Sequence, residues 1–299
     1  MPIQLKPINE QVVVITGASS GIGLATAYTF AKRGARVVLA ARSEEVLARA
    51  VQEICSMGGI AAHVVADVSK VEDVKRIARA ALDLYGRIDT WVNDAGVSIY
   101  GRLDEVSEAD SRTLFDINFW GVVNGSLIAL RNMRAGGAII NVGSEVSDAV
   151  VPLQGMYSAS KHAVKGFTNA LRIEVEELDK APIAITLIQP TAVNTPYPEH
   201  AANYMNAEPK LPTPQIEPQE VADAIVKAAA HHTRDVKVGL GAIINTTVAK
   251  IAPSLGDKLS AKQAYRQQYD EPPRDPEGTL RKPGNSGRIH GSGGKEKTN

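Results

Sequence analysis

A tyrosine and a lysine four residues apart could move a proton to or from an alcohol. The stretch "MYSASKHAVKGF" contains Tyr157 and Lys161, which share one face of a helix one turn apart. An ammonium group at ~4 Å, in an effective dielectric of ~20, favours a phenolate by about 4 kcal/mol. That free energy lowers the pKa of a phenol from ~10 to about neutral pH. The pair therefore predicts a general acid for carbonyl reduction and a general base for alcohol oxidation.

Spacing alone does not single out this pair. The stretch "YTFAK" holds Tyr28 and Lys32 at the same separation. These two residues fall inside a helical pattern over 21–33, about two turns beyond its start, away from the edge of an α/β sheet where ligands bind. We expect Tyr28 to pack and Lys32 to be solvated.

A glycine-rich loop precedes that helix. In "VVVITGASSGIG", Gly17, Gly21 and Gly23 follow an apolar strand and open the helix. Glycines there permit a tight turn and let a pyrophosphate approach the positive helix end. The spacing is G-x-x-x-G-x-G, and three glycines alone could form an ordinary turn. Their place at the start of an alternating strand–helix pattern favours a dinucleotide site.

The end of the second predicted strand bears on the type of dinucleotide. An NAD site would offer a carboxylate there to the ribose 2′-hydroxyl, whereas this chain reads "LAARSEE". Arg42 can pair with a 2′-phosphate through its planar fork of donors, and Ser43 can add a hydroxyl. We predict NADP(H) as cofactor, with NAD less favoured.

Alternating patterns set the expected architecture. Apolar runs at 12–16, 36–41, 61–66, 90–95, 138–143, 184–189 and 235–239 predict buried strands, and helical patterns lie at 21–33, 43–57, 70–85, 108–133, 156–179 and 219–231. The alternation predicts an α/β fold: a three-layer, Rossmann-type, doubly wound parallel sheet of about seven strands. We expect an NADP-binding catalytic domain over 8–240 and a helical C-terminal extension over 241–268. Residues 269–299, rich in Pro, Gly and charge, are predicted to form a disordered tail.

The composition gives no support to several other kinds of protein or site. Basic and acidic residues both number 33, which gives no electrostatic reason for a nucleic-acid partner. No signal peptide and no apolar run near the ~18 residues of a membrane span are evident, so we predict a cytoplasmic protein without membrane association. The single cysteine, Cys55, excludes an intrachain disulfide and is expected to be buried. No metal site is predicted, because no His/Cys/Asp cluster has ligand spacing.

With "TGASSGIG", "DV" (67–68), "NDAG" (93–96) and "YSASK" in order, the chain resembles the short-chain dehydrogenase/reductase family over roughly residues 10–240. The resemblance implies a nicotinamide cofactor and a catalytic set of Asn118, Ser144, Tyr157 and Lys161. In it, Asn118 helps to hold a water that links Lys161 to solvent. Ser144, at the end of a predicted strand, is expected to hold the substrate oxygen. The predicted cofactor-binding residues are Gly17, Ser19, Ser20, Gly21, Ile22, Gly23, Arg42, Ser43, Asp67, Val68, Asn93, Ala95, Gly96, Tyr157, Lys161, Pro190, Val193 and Thr195.

Two positions depart from the family pattern. Asp94 stands where asparagine is commoner and is expected to alter a structural hydrogen bond slightly. Thr191 follows Pro190 where glycine is usual, which makes that turn less permissive. Neither residue belongs to the catalytic set.

The Pro-rich segment 190–219 is predicted to be a lid over the substrate. Apolar residues in and near it favour a hydrophobic alcohol or ketone, although they serve packing equally well; they are Val97, Ile99, Tyr100, Leu153, Met156, Tyr197, Tyr204, Met205 and Leu211. The extension could be a flap on the pocket, an arm on a partner subunit, or an interfacial membrane helix. Its polar side has few cations, which favours a contact within a homodimer or homotetramer.

The predicted function is that of an NADP(H)-dependent oxidoreductase that interconverts an alcohol and a ketone or aldehyde by hydride transfer. The alternative is a non-catalytic NADP(H)-binding sensor, since a fold does not dictate activity. Epimerases and dehydratases reuse transient hydride transfer, but such members usually carry larger substrate domains.

Overall fold

A parallel sheet of seven strands forms the centre of the computed structural model, which describes residues 3–133 and 135–292. The strands are β1 (Val12–Thr16), β2 (Arg36–Ala41), β3 (Ile60–Val65), β4 (Thr90–Asn93), β5 (Ile99–Tyr100), β6 (Gly137–Val142), β7 (Ile183–Pro190), β8 (Ala202–Asn203) and β9 (Asp235–Val238). The central sheet has the order β3-β2-β1-β4-β6-β7-β9, and β5 pairs with β8 outside it. All the central pairs are parallel. The predicted doubly wound sheet is confirmed.

Helices cover both faces of the sheet. They are α1 (Gly21–Lys32), α2 (Glu44–Ser56), α3 (Val71–Tyr85), α4 (Glu108–Phe115), α5 (Gly121–Asn132), α6 (Gly155–Arg172), α7 (Tyr197–His200), α8 (Pro218–Ala230), α9 (Leu240–Ile251) and α10 (Pro253–Gln263). One core packs α1, α2 and α8 against the sheet, with Phe30 and Ile225 fully buried. The other packs α3, α5 and α6, with Ile77 fully buried. Strands buried on both faces explain the continuous apolar runs in the sequence.

Three predicted helices are interrupted. The pattern over 108–133 contains a wide π turn, Asp116–Trp120, between α4 and α5. A second π turn, Ile173–Leu178, ends α6. Such turns carry an i→i+5 hydrogen bond and are frequent at functional sites. The extension divides at Pro253, which has no backbone N–H to donate and therefore starts α10 anew.

The segment 278–292, called the strap below, lies against the catalytic domain. Leu280 is 3% exposed within the core cluster. The backbone N–H of Gly21 donates to the Arg288 carbonyl at 2.9 Å, and the Arg288 side chain pairs with Glu199. This placement differs from the predicted disorder, because the strap takes its burial and its hydrogen bonds from the domain. Residues 293–299 of the predicted tail lie outside the described residues, and the domain bounds stay a prediction.

Two further expectations differ from the structure. Cys55 is exposed on α2, because its neighbour Ile54 occupies the buried face of that helix. Among the described residues, one helical stretch, Glu108–Asn132, is long and apolar enough to cross a membrane. In this fold 56% of its apolar window is buried inside the domain, and core helices pass the same test.

Candidate active site

The strand order reverses around β1, and a cleft opens at the carboxyl ends of β1 and β4. Ligands of open α/β sheets bind at such switch points. The glycine-rich loop forms one wall of this cleft, the end of β2 another, and the start of α6 its far end. The topology thus brings together segments that are far apart in the chain.

The glycine-rich loop has no room for side chains. Gly17 has a φ of +75°, and a Cβ on it would lie 2.7 Å from the backbone nitrogen of Ala95. A Cβ on Gly23 would lie 2.4 Å from the Gly17 carbonyl oxygen. The loop therefore lines the cleft with its backbone near Gly17 and Gly21, as a pyrophosphate requires, and the Gly21 N–H is engaged by the Arg288 carbonyl of the strap. Gly23 lies behind the cleft and holds α1 against the loop.

Arg42 and Ser43 lie at the end of β2 on the lining of the same cleft. The Arg42 guanidinium donates to the carbonyl oxygens of Thr279 at 2.5 Å and Leu280 at 3.2 Å. The Ser43 hydroxyl donates to Oδ1 of Asn285 at 3.4 Å. The strap therefore forms part of the site, and Thr279, Pro283 and Gly284 line the cleft. Sequence reasoning missed these residues, since their Pro- and Gly-rich composition is that of a disordered segment.

Tyr157 and Ser144 lie side by side at the far end of the cleft. Tyr157 is in the first turn of α6, and Ser144 follows β6. Oγ of Ser144 accepts a hydrogen bond from the Val146 backbone N–H at 3.3 Å. The Tyr157 hydroxyl neighbours the hydroxyls of Ser144 and Tyr197, both of which favour its ionised form. Two hydroxyls from different segments therefore flank the phenol oxygen.

Burial dominates the electrostatics of Tyr157. It raises the pKa of Tyr157 to about 12, and the neighbouring hydroxyls of Tyr197 and Ser144 only partly oppose this rise. The carboxylates of Asp94 and Glu145 raise this pKa further. Burial thus opposes the shift of the phenol pKa toward neutral pH that the Lys161 cation was predicted to cause, and that shift stays a prediction. The sequence argument left out the loss of water around the phenolate, which disfavours the charged form of a buried phenol.

Lys161 is buried, with 4% of its surface exposed, and lies close to the tyrosine ring. Its Nζ donates to the Val142 carbonyl at 2.9 Å and lies 5.7 Å from the centre of the Tyr157 ring. Burial lowers the pKa of Lys161, and the carboxylate of Asp94 opposes this shift. Burial likewise raises the pKa of Asp94, opposed by Lys161 and by a hydrogen bond from the Gly23 backbone. The charges of Asp94 and Lys161 thus influence each other, which goes beyond the predicted change in one hydrogen bond.

Asn118 lies behind the cleft, fully buried in the first π turn. Its Oδ1 accepts from the Val97 N–H at 2.8 Å, and its Nδ2 donates to the Val97 carbonyl at 2.9 Å. Nδ2 also lies 3.2 Å from Oγ of Ser160. The amide therefore ties the segment after β4 to α6, which carries Tyr157 and Lys161.

Asn93 is also set back from the cleft, and its Nδ2 donates to Oδ1 of Asn141 at 2.8 Å. The structure therefore brings Ser144, Tyr157 and Lys161 together but keeps Asn93, Gly23 and Asn118 behind them. The remaining predicted cofactor residues line the cleft; they are Ser19, Ser20, Ile22, Asp67, Val68, Ala95, Gly96, Pro190, Val193 and Thr195. Within residues 3–133 and 135–292, no group of three His, Cys, Asp or Glu residues could hold a metal ion.

The sequence profile of the short chain dehydrogenase family matches residues 11–204, a span that contains the loop, Ser144 and the Tyr157–Lys161 pair. The chain is a short-chain dehydrogenase/reductase. It is 43% identical to "Uncharacterized oxidoreductase YxnA" of Bacillus subtilis over 278 residues, which cover 92% of this chain and 78% of that protein. It is 36% identical to "11-beta-hydroxysteroid dehydrogenase A" of Sesamum indicum over 242 residues, 76% of this chain and 67% of the relative.

Solved structures resemble this short-chain dehydrogenase/reductase in fold. A family member from Burkholderia phymatum in complex with NAD has a TM-score of 0.76 at 27% identity and covers 84% of this chain and 96% of its own. An alcohol dehydrogenase from Thermococcus sibiricus complexed with 5-hydroxy-NADP has a TM-score of 0.67 at 28% identity, over 76% of this chain and 94% of its own. The chain is thus an oxidoreductase of a family whose members bind nicotinamide dinucleotides.

The substrate side of this short-chain dehydrogenase/reductase mixes apolar and polar groups. Of the predicted apolar residues, Val97, Tyr197 and Leu211 line the cleft. Ile99 and Tyr100 are buried in β5, and Tyr204 lies outside, its hydroxyl donating to Asp110. Sequence reasoning missed the polar lining residues, which are Ser98, Glu145 and Gln154.

The C-terminal extension contributes to the substrate side through two side chains. Asn245 of α9 donates to the Glu145 carboxylate at 2.9 Å, and Gln267 bonds with Gln154 at 2.7 Å. These contacts fit a flap on the pocket. The outward side of the extension exposes aliphatic residues, which are Leu240, Ile243, Ile244, Ile251, Leu255 and Leu259. Contact with a partner subunit stays a prediction.

Proposed function

We propose that this protein is an NADP(H)-dependent oxidoreductase that interconverts an alcohol and a ketone or aldehyde, with Tyr157 as general acid and base. One observation carries the proposal: the hydroxyls of Tyr157 and Ser144 are neighbours at the end of a cleft whose other end is lined by the glycine-rich loop and Arg42. An oxygen atom held by both hydroxyls would face the cofactor cleft. This arrangement suits a carbonyl oxygen better than it suits a binding site without chemistry.

The bound nicotinamide supplies or accepts the hydride. Ser144 then holds the substrate oxygen, and Tyr157 gives its proton to that oxygen during reduction or takes it during oxidation. Because burial raises the pKa of Tyr157 to about 12, the phenol holds its proton at neutral pH and is ready to act as an acid. The Lys161 cation stabilises the phenolate that remains, and Asn118 keeps the Val97 segment in register with α6.

The choice of NADP(H) rests on Arg42. The residues at the end of β2 are Ala41, Arg42 and Ser43, and none of them carries a negative charge that would repel a 2′-phosphate. The solved relatives include a complex with NAD and one with 5-hydroxy-NADP, so they support a nicotinamide dinucleotide of either kind. The guanidinium keeps further N–H donors beyond the two that the strap engages.

A hydrophobic alcohol or ketone is the proposed substrate. Val97, Leu211 and the Tyr197 ring line the substrate side of the cleft. The Sesamum indicum relative is named for a hydroxysteroid, a large apolar alcohol, which supports this class. Of the polar lining residues, Glu145 and Gln154 already accept hydrogen bonds from the protein.

The test follows nicotinamide absorbance while the purified protein is offered medium-chain ketones and a small sugar. With a ketone, we expect the protein to oxidise NADPH and to oxidise NADH more slowly. With the sugar, we expect little oxidation of either cofactor. Arg42→Ala should lower kcat/KM for NADPH by about tenfold or more, the effect of one charge-assisted hydrogen bond, and leave NADH nearly unchanged. Binding of NADPH without turnover of any carbonyl or alcohol would favour the sensor alternative. An equal loss of kcat/KM for NADPH and for NADH in Arg42→Ala would contradict the role of Arg42.

A further inference from the structure

A second phenol lies against Tyr157. The Tyr197 ring packs edge-on to the Tyr157 ring, with centroids 5.4 Å apart and planes at 63°. The two hydroxyls are close enough for each to shift the pKa of the other. The Tyr197 hydroxyl also lies 2.8 Å from Oε1 of Gln154, to which it donates. One O–H group therefore has two neighbouring oxygens that could receive its single hydrogen.

The acceptor on the other side of Tyr197 is held in one orientation. Gln154 is 5% exposed, and its Nε2 donates to Oε1 of Gln267 at 2.7 Å. Gln267 is fully buried, and its own Nε2 donates to the Pro152 carbonyl at 2.9 Å. A carbonyl oxygen can only accept, so the Pro152 carbonyl fixes which end of Gln267 faces it. The orientation of Gln267 then determines that of Gln154. Oε1 of Gln267 accepts from Nε2 of Gln154, so Oε1 of Gln154 faces the Tyr197 hydroxyl and accepts from it.

Gln154 does not depend on Tyr197 alone. Its Oε1 also lies 3.3 Å from the hydroxyl of Ser98, which donates to it. If the Tyr197 O–H turned toward Tyr157, the buried Gln154 oxygen would still have a donor. The rearrangement therefore leaves the buried Gln154 oxygen with a partner, so it avoids the cost of an unsatisfied buried acceptor.

We propose that Tyr197 is a second hydroxyl of the reacting centre, which donates to Gln154 while Tyr157 is protonated and turns to donate to the Tyr157 oxygen once that oxygen is negative. Gln154 and Gln267 are positioning residues that hold Tyr197 within reach of both acceptors. The C-terminal extension thus takes part in setting the acidity of Tyr157 through Gln267, a residue more than one hundred positions after Tyr157 in the chain.

No bond to hydrogen breaks at Tyr197 in this step. During reduction, the proton of Tyr157 passes to the substrate oxygen, and the electron pair stays on the phenol oxygen. The Tyr197 O–H rotates about its C–O bond and donates to that oxygen. During oxidation the same events run backward, so Tyr197 stabilises the phenolate that must exist before the alcohol proton is taken.

This inference rests on the proposed role of Tyr157, and the test separates the two. The measurement is kcat/KM for alcohol oxidation across pH, with Tyr197→Phe compared to wild type. Tyr204→Phe is the matched control, because Tyr204 belongs to the same segment but its hydroxyl donates to Asp110 on the surface. Oxidised nicotinamide, when bound, adds positive charge to the site and brings the rise of activity with pH below the phenol pKa of about 12. We expect this rise to move about one unit upward in Tyr197→Phe, the effect of losing one hydrogen bond to a charged oxygen. Tyr204→Phe should keep the wild-type profile, and NADPH binding should be unchanged in both.

Gln267→Met tests the positioning residues, with the exposed Gln263→Met as its control. We expect Gln267→Met to move the profile in the same direction as Tyr197→Phe, by a smaller amount. If Gln267→Met does not fold, Gln267→Asn serves in its place. A wild-type profile in Tyr197→Phe, or lower activity without any pH shift, would overturn the inference while leaving Tyr157 in place. If Tyr157→Phe turned over substrate as fast as wild type, the proposed function would be overturned as well.

Discussion

Nζ of Lys161 lies 5.7 Å from the centre of the Tyr157 ring, one helical turn away, and both side chains face the same cleft. Tyr28 and Lys32 have the same spacing in α1 with a different outcome. The Tyr28 hydroxyl contacts the carboxylate of Glu53, and Lys32 is exposed to solvent. The helix gives both pairs the same local geometry. Their different surroundings come from where each helix lies in the fold.

Replacing Tyr157 by phenylalanine should abolish turnover and leave NADPH binding intact. The variant loses only the hydroxyl that exchanges a proton with substrate, so we expect kcat to fall by about a hundredfold or more. Tyr28→Phe is the control, and it should keep wild-type turnover. The measurement is steady-state nicotinamide absorbance together with NADPH fluorescence. Near-normal turnover in Tyr157→Phe would refute its assignment as acid and base.

Neutralising Asp94 should narrow the pH range of activity on the alkaline side. The Asp94 carboxylate opposes the lowering of the Lys161 pKa, so Asp94→Asn lets that pKa fall further. Lys161 then loses its charge at lower pH, and the alkaline decline of kcat/KM for reduction should begin about one pH unit earlier. At acid pH the two proteins should be similar, because burial raises the pKa of Asp94 and it is protonated there.

The exposed Asp83 provides the comparison for Asp94. Asp83→Asn removes the same charge far from Lys161, and its pH profile should match that of wild type. An unchanged alkaline limit in Asp94→Asn would show that this carboxylate does not hold the Lys161 charge.

Gly23→Ala should weaken both the fold and the cofactor site. The added Cβ would lie 2.4 Å from the Gly17 carbonyl oxygen, so the loop or α1 must move. We expect a loss of about 1–3 kcal/mol in the free energy of unfolding and weaker NADPH binding. Gly166→Ala makes the same change in α6, where no atom lies within 4 Å of the new Cβ. Gly166→Ala should stabilise the protein by about 1 kcal/mol, because alanine is favoured over glycine inside a helix by about that amount. Denaturant unfolding measures both, and equal effects would contradict this account.

Loosening the strap should speed the release of NADPH. Leu280 anchors the strap in the core, and the strap lines the cleft beside Arg42. Leu280→Ser removes that anchor, and we expect release to become about threefold faster or more, because the wall of the site opens more often. Leu259→Ser, at a half-exposed position of α10, is the control. Stopped-flow fluorescence measures the release. Identical rates for the two variants would show that the strap does not retain the cofactor.

Local sequence determined the framework of this protein. Apolar runs marked each central strand to within two residues. For the strands inside the sheet the reason is that burial on both faces requires continuous apolar residues, whereas the edge strands β3 and β9 are partly exposed. Glycine positions marked the loop after β1, since the contacts of Gly17 and Gly23 leave no room for a Cβ. The order of motifs was sufficient for the family, which the profile over 11–204 confirms.

Tertiary structure alone decided the environment of the reacting phenol. Residue types and spacing indicated Tyr157 and Lys161, but burial raises the pKa of Tyr157 to about 12, and burial depends on every segment that packs around it. Gln267 meets Gln154 across 113 residues, and the strap reaches Arg42 across more than 230. Hydrogen bonds between segments so distant in the chain leave no periodic pattern in the sequence. They exist only because the sheet and its helices bring those segments to one end of the fold.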